Sequence, residues 1–214
     1  MFIEMAVKNF TLEQIVPGMK DTSIDNIYKT KMNDELSNSK LRLKRLRLRD
    51  SVHSMLSNSY KHENSMVSHF YNRGEEVPIW GIFEIMMLGD FAEFLQCLNR
   101  GEREKISKTL GMKVSYDTNY QLVANALFSV KSLRNTTAHN NIAFDARFSD
   151  RSPNKNLVKW VENETGITNV KFDYFSDYIA LIVCLLKHVQ YPKKMLIKFL
   201  KEYEECINDL YQEL

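Results

Sequence analysis

The sequence predicts an all-α protein, and three observations lead to this fold class. Only seven glycines and four prolines occur in 214 residues, which leaves few chain-breaking residues for a many-turned β protein. Apolar residues recur three and four positions apart in several segments, which is the periodicity of a helix with one buried face. Apolar residues form 44% of the chain and charged residues 26%, so a hydrophobic core can form.

The N-terminal segment, residues 1–22, gives an ambiguous pattern. Thr11 and Gln14 match a capping box, which predicts that a helix begins near Thr11. Pro17 and Gly18 follow and predict a turn.

One or two helices are predicted between about Thr22 and Ser57, where apolar residues recur at roughly helical spacing. Residues 41–48 also alternate partly like a strand, but no turn residues flank them, so the helical interpretation is favoured. Residues 57–77 are polar and predict a loop that holds a short helix at about 63–72.

The next segment predicts a helix over residues 78–87, with Pro78 in its first turn. It is apolar on nearly every side except at Glu84, which predicts burial, and Trp80 is expected in the core. Gly89 and Asp90 predict a break. Further helices are predicted at residues 90–99, 102–110, 117–139, 173–190 and 192–213, and a loop at residues 140–170.

Charge and cysteine content argue against several classes of protein. The net charge of +2 does not by itself predict a polyanion partner. Three cysteines without C-x-x-C spacing argue against a disulfide framework and a zinc site, so buried thiols and no cofactor are expected.

The longest apolar run, residues 178–186, is shorter than the roughly 20 residues that a membrane-spanning helix needs, and no signal peptide is expected. We therefore expect a cytoplasmic domain over residues 40–214, with a helical extension over residues 1–39.

One segment, residues 40–49, is strongly basic and contains no acidic residue. Such a local stripe can attract phosphate even though the whole chain is nearly neutral, and the alternative is a solvated helix face with its leucines packed inward. The candidate RNA-binding side chains are Lys40, Arg42, Lys44, Arg45, Arg47 and Arg49.

The string Arg134-Asn135-Thr136-Thr137-Ala138-His139 is the one pattern with mechanistic content. Arginine carries a permanent charge and a fork of donors that matches phosphate, and histidine can move a proton near neutral pH. On a straight helix Arg134 and His139 are about 140° apart, so they do not share a face. Either the helix ends or bends near Ala138, or two copies of the chain assemble the site. The pattern also fits a plain helix end with a histidine near the negative end of the dipole.

Two linked strings carry a resemblance to a known family. The string S-L-R-N-T-T-A-H-N is similar to the R-N-x-x-A-H signature of HEPN domains. The stretch around Trp80, Glu84 and Gly89 resembles the W-x-x-x-E-x-x-x-x-G segment of the Abi-like, or abortive-infection, family, at a similar distance ahead of the signature. The likeness covers residues 40–148 well.

The resemblance implies a HEPN-like helical bundle with additional helices, and a metal-independent endoribonuclease that acts in bacterial defence against phage. It implies that Arg134, Asn135 and His139 are catalytic, that two copies pair through the motif helices, and that RNA is the substrate. Glu84 and Asn140 are supporting candidates. Glu84 could pair with Arg134, hold His139, form a structural salt bridge or lie at an exposed helix edge. Thr137 and Asn140 replace a cysteine and a basic residue that relatives often carry, which affects activity and substrate rather than fold.

Two other hypotheses compete with the nuclease. The same residues could hold RNA or a nucleotide without cutting it, or the chain could be a structural partner in a toxin–antitoxin-type complex, with a cognate antitoxin or a non-coding RNA.

Overall fold

A computed structural model describes residues 2–33, 39–138 and 154–213, and helices dominate all three ranges. No strand occurs in these ranges, only two isolated β-bridges, between Ser23 and Pro78 and between Met32 and Leu98. The predicted all-α class is therefore confirmed. In chain order the helices are α1 (Phe2–Ile15), α2 (Ile24–Thr30), α3 (Ser39–Lys61), α4 (Ser65–Tyr71), α5 (Ile79–Ile85), α6 (Leu88–Cys97), α7 (Arg100–Thr109), α8 (Leu122–Ala138), α9 (Lys155–Thr165), α10 (Phe175–His188) and α11 (Lys193–Glu213).

The α6 helix lies at the centre of the fold, packed mainly against α8 and also against α3. Its side chains Phe91 and Phe94 are completely buried and meet Phe83 of α5 edge-on, with ring centroids 5.0 Å apart in both pairs. Edge-on aromatic pairs stabilise a core beyond the effect of their buried area. The cluster anchors α6, which in turn packs against α8, the helix that carries the candidate motif.

The N-terminal helices belong to the same hydrophobic core. The α1 helix packs against α7 and α5, and its Val7 and Ile15 are buried. Lys8 is 8% exposed; its ammonium group donates a hydrogen bond to the carbonyl of Met86 at 2.7 Å and pairs with Glu4 at 2.8 Å. A buried charge needs such partners, so Lys8 fixes α1 to the end of α5. A boundary at residue 39 stays a prediction.

Several helix boundaries differ from the predicted ones. Thr11 lies inside α1, where its hydroxyl donates to the Val7 carbonyl at 2.8 Å, so the predicted helix start at this residue is wrong. The break between α5 and α6 falls at Met86 and Met87, ahead of the predicted Gly89-Asp90 position, because the Met86 backbone is extended. The α8 helix begins at Leu122 rather than at residue 117.

The α9 helix occupies part of the predicted 140–170 loop, so that prediction is wrong for this part. Asn154 caps its start by accepting a hydrogen bond from the Asn156 amide at 2.8 Å, and Gly166, at a φ of +74°, ends it. The helix persists because Leu157, Trp160 and Val161 are buried, at the helical spacing of three and four.

Candidate functional site

The candidate motif lies on the last turn of α8. Arg134 is exposed and Asn135 is half-buried, and the helix continues to Ala138. His139 and Asn140, the other motif candidates, lie outside the described residues. The helix is unbroken from Arg134 to Ala138, so the choice between a bend after Ala138 and a site shared by two copies stays open.

Side-chain hydrogen bonds stabilise both ends of α8. Asp117, which is buried, accepts hydrogen bonds from the amides of Gln121 at 3.2 Å and Leu122 at 2.8 Å, and so caps the start of the helix. Near the other end, the Thr137 hydroxyl donates to the carbonyls of Leu133 at 3.2 Å and Arg134 at 3.0 Å. This hydroxyl is therefore engaged by the backbone of its own helix.

Lys131 connects the two family-like segments in space. It directly precedes the string that contains Arg134, and it contacts Gly89 of the upstream segment. Its side chain lies across Gly89 of α6, so that a Cβ added at Gly89 would stand 2.8 Å from the Lys131 ammonium nitrogen and 2.9 Å from Cε. Glycine at this position therefore lets the lysine lie over the first turn of α6. Lys131 stands three residues before Arg134, which places the two cations on neighbouring parts of the helix surface. Neither forms an ion pair within the part of the chain that the structure describes.

Sequence reasoning missed Lys131 as a candidate residue. The three-residue spacing before Arg134 could have indicated it, whereas its contact with Gly89 depends on how α6 packs against α8.

Glu84 and Trp80 lie on the outer surface of α5. Glu84 is exposed and forms no ion pair with any residue of the described ranges, so it occupies the exposed edge that was one of its predicted positions. Its role beside His139 stays a prediction. Trp80 is 48% exposed and meets Phe70 edge-on, with ring centroids 5.9 Å apart. Its predicted place in the core is therefore wrong. The short α5 buries its other side, through Ile79 and Phe83.

The basic stripe divides into structural and exposed residues. Arg45 donates to the Tyr28 carbonyl at 2.9 Å and to the Asn33 carbonyl, and Lys44 donates to the side chain of Gln96. Arg49 pairs with Asp25 at 3.4 Å. The three remaining members are exposed and form no ion pair with other described residues, and they are Lys40, Arg42 and Arg47.

A polar cleft of about 380 Å³ adjoins this stripe, between α3, α6 and α8. Its walls carry side-chain amides together with two lysines of the stripe. The amide oxygen of Gln121 is buried there without a hydrogen-bond partner. The lining residues are Lys40, Leu41, Lys44, Gln96, Gln121, Asn125 and Asn154.

The division of the stripe predicts two different mutant phenotypes. Arg45→Ala leaves two backbone carbonyls without their donor, and it should lower the free energy of unfolding by about 1–3 kcal/mol. Arg47→Ala removes only an exposed charge, so it should leave stability unchanged and weaken RNA binding at low salt. Urea denaturation and filter binding measure the two effects. Equal losses of stability in the two variants would contradict the division.

Metal-binding and membrane-spanning features are absent from the described residues. No group of three or more His, Cys, Asp or Glu side chains there could hold a metal ion, and His53, His62 and His69 are all exposed. No described helix is long and apolar enough to cross a bilayer.

Comparison with known proteins identifies one family. The sequence model of the family described as Abi-like protein matches residues 1–145. The matched range includes the Trp80–Gly89 segment and the Arg134–His139 string, and it extends the resemblance to α1 and α2. No curated protein and no solved structure matches the chain. The helices α9, α10 and α11 lie beyond the matched range.

Proposed function

Because the chain belongs to the Abi-like protein family, we propose that it acts in abortive infection as an endoribonuclease toxin that requires no metal ion. One observation carries the proposal. Arg134 is exposed on the last turn of α8, one turn after Lys131, and no acidic side chain of the described residues neutralises either cation. Two unpaired cations directly ahead of His139 make a surface that suits a phosphodiester. We place this activity in the cytoplasm.

The proposed reaction is a transesterification within RNA. The 2′-oxygen of a ribose attacks the adjacent phosphorus, a new 2′-O–P bond forms, and the bond from phosphorus to the 5′-oxygen of the next nucleotide breaks. His139 takes the proton of the 2′-hydroxyl or supplies one to the leaving oxygen, while Arg134 stabilises the charge on the phosphate. The products are a 2′,3′-cyclic phosphate and a 5′-hydroxyl. Asn135 orients one of these groups.

Two copies of the chain would supply both proton transfers. One imidazole cannot act as base and acid in the same step, whereas a pair of motif helices related by a two-fold axis would bring two copies of His139 to one phosphate. This pairing would also remove the need for Arg134 and His139 to share a face, which a straight helix through both residues would not allow.

A second candidate function is RNA or nucleotide binding without cleavage. The polar cleft favours it, because side-chain amides match the donors and acceptors of base edges, and Lys40 could contact phosphate. This function predicts salt-dependent retention of RNA without products.

Incubation of purified protein with total cellular RNA in EDTA tests the nuclease. Wild type should produce fragments with 2′,3′-cyclic phosphate ends, and His139→Ala should produce none. His62→Ala is the matched control, since His62 is an exposed histidine on the turn after α3 and should behave like wild type. Cleavage by purified His139→Ala would refute the proposed mechanism. Binding of RNA by both proteins without fragments would favour the binding function.

A further inference from the structure

Lys131 occupies a position on α8 that stability alone does not explain. Its side chain is half-buried and lies over Gly89, in the first turn of α6. The first turn of a helix carries the positive end of the helix dipole, which repels an ammonium group. Charges that are withdrawn from water are normally paired, yet Lys131 forms no ion pair with another residue of the described ranges. Such a cation points to a ligand that supplies the anion.

The acidic residue nearest in the fold does not neutralise this charge. Asp90 lies in the same turn of α6 as Gly89. Its carboxylate accepts a hydrogen bond from the Ser51 hydroxyl of α3 at 2.8 Å, and it forms no ion pair with Lys131. Met87, which precedes the helix, gives the first turn no side-chain cap. The surface around Lys131 therefore keeps its positive charge.

Lys131 and Arg134 present their charges at two adjacent positions. Residues three apart on a helix have Cβ atoms roughly 5–6 Å from each other. The Lys131 side chain runs across to Gly89 of α6, whereas Arg134 extends from α8 into solvent. The two cations therefore do not converge on one point. A single RNA strand carries one negative charge per nucleotide, so two successive phosphates suit two adjacent cations.

We propose that Lys131 binds the phosphate next to the one that Arg134 contacts, and that Gly89 sets the position of the lysine. The proposal rests on the proposed function for the role of Arg134, and it deepens that function by naming the substrate class. The substrate is a strand with at least two successive phosphates. A dinucleotide with a single phosphodiester uses only one of the two cations and binds more weakly. Lys131 is in this way a specificity-determining residue that selects for strand length.

Binding of short RNA analogues tests how many phosphates the surface holds. Both probes are 2′-O-methyl trinucleotides without terminal phosphates, which cannot be cleaved by attack of a 2′-oxygen. One has two phosphodiesters, and in the other one of the two linkages is an uncharged methylphosphonate. Calorimetry at about 0.1 M salt, where distant charges are screened, measures the affinities. Wild type should bind the doubly charged probe roughly tenfold more tightly, the usual contribution of a hydrogen bond to a charged group.

Three variants assign this tenfold gain to its residues. Lys131→Ala should reduce it to about twofold, the statistical advantage of having two equivalent phosphates. Gly89→Ala keeps every charge, but its Cβ would stand 2.8 Å from the Lys131 ammonium nitrogen, so the flexible lysine must move and the gain should fall. Lys20→Ala is the matched control, because Lys20 is an exposed lysine between α1 and α2, and it should keep the full gain. Circular dichroism verifies that each variant remains helical.

The outcomes separate this proposal from the nuclease. A full gain in Lys131→Ala or in Gly89→Ala would overturn the proposal, as would equal binding of the two probes by wild type or binding of neither. Because the probes are not cleaved, these results do not depend on catalysis. A tenfold gain that requires Lys131, together with no RNA fragments in EDTA, would refute the nuclease and retain the two-phosphate surface.

Discussion

Arg134→Ala protein is expected to lose RNA cleavage by about 100-fold or more, the usual effect of removing a group that stabilises charge in a transition state. Its stability should stay within about 0.5 kcal/mol of wild type, because Arg134 is exposed and forms no ion pair in the described part of the chain. Rates on a short RNA with one cleavage site, together with urea denaturation, measure both quantities. The same variant should no longer arrest growth when expressed.

Arg134→Lys provides the matched control for this prediction. Lysine keeps the charge but has no planar fork to hold two phosphate oxygens, so cleavage should recover only in part. Full activity in Arg134→Lys would mean that charge alone is needed at this position. Full activity in Arg134→Ala would remove the residue from the mechanism and favour Lys131 as the phosphate contact.

Phe91→Ala is expected to lower the free energy of unfolding by about 3–5 kcal/mol, as truncation of a buried aromatic residue does. Phe91 is completely buried and contacts Phe83 at the centre of the core, and Lys8 lies 5.9 Å from its ring centroid. A loss of this size is a large share of the 5–15 kcal/mol that typically stabilises a folded domain. Urea denaturation at neutral pH measures it.

Trp80→Ala is the control for the core variant. Trp80 is larger than Phe91, but it is 48% exposed, so its removal should change stability by less than about 1 kcal/mol. Equal destabilisation by the two changes would contradict the placement of Trp80. Phe91→Ala should reduce growth arrest through low abundance of folded protein, whereas Arg134→Ala should reduce it with the fold intact.

Most of the helices could be predicted from the sequence, whereas α9 and several helix boundaries could not. The last two predicted helices agree closely with α10 and α11, because long apolar periodicity and Pro192 define them. The α9 helix was missed because Asn, Asp and Ser around it indicated a loop, although Trp160 and its neighbours have helical spacing. The Thr11 boundary was misplaced because a buried face overrides a local capping pattern.

The sequence predicts the local helical position of the candidate residues, but not their contacts with other helices. The sequence placed Arg134 and Asn135 at the end of a helix, and the structure has them there. It could not show that Lys131 lies over Gly89, because that contact depends on packing between α6 and α8. Nor could it separate Arg45 from the exposed arginines, since the carbonyl groups that Arg45 binds belong to a different segment of the chain.

The placement of α1 sets an order of events during synthesis. This helix leaves the ribosome before its partners, because the carbonyl that Lys8 binds belongs to Met86, and α7, against which α1 packs, ends only at Thr109. At translation rates of roughly 5–20 residues per second, the apolar side of α1 stays exposed for several seconds before its packing partners have been synthesised. The α1 helix is therefore stabilised by its partners well after it is made, and factors that bind nascent chains have that interval in which to reach it.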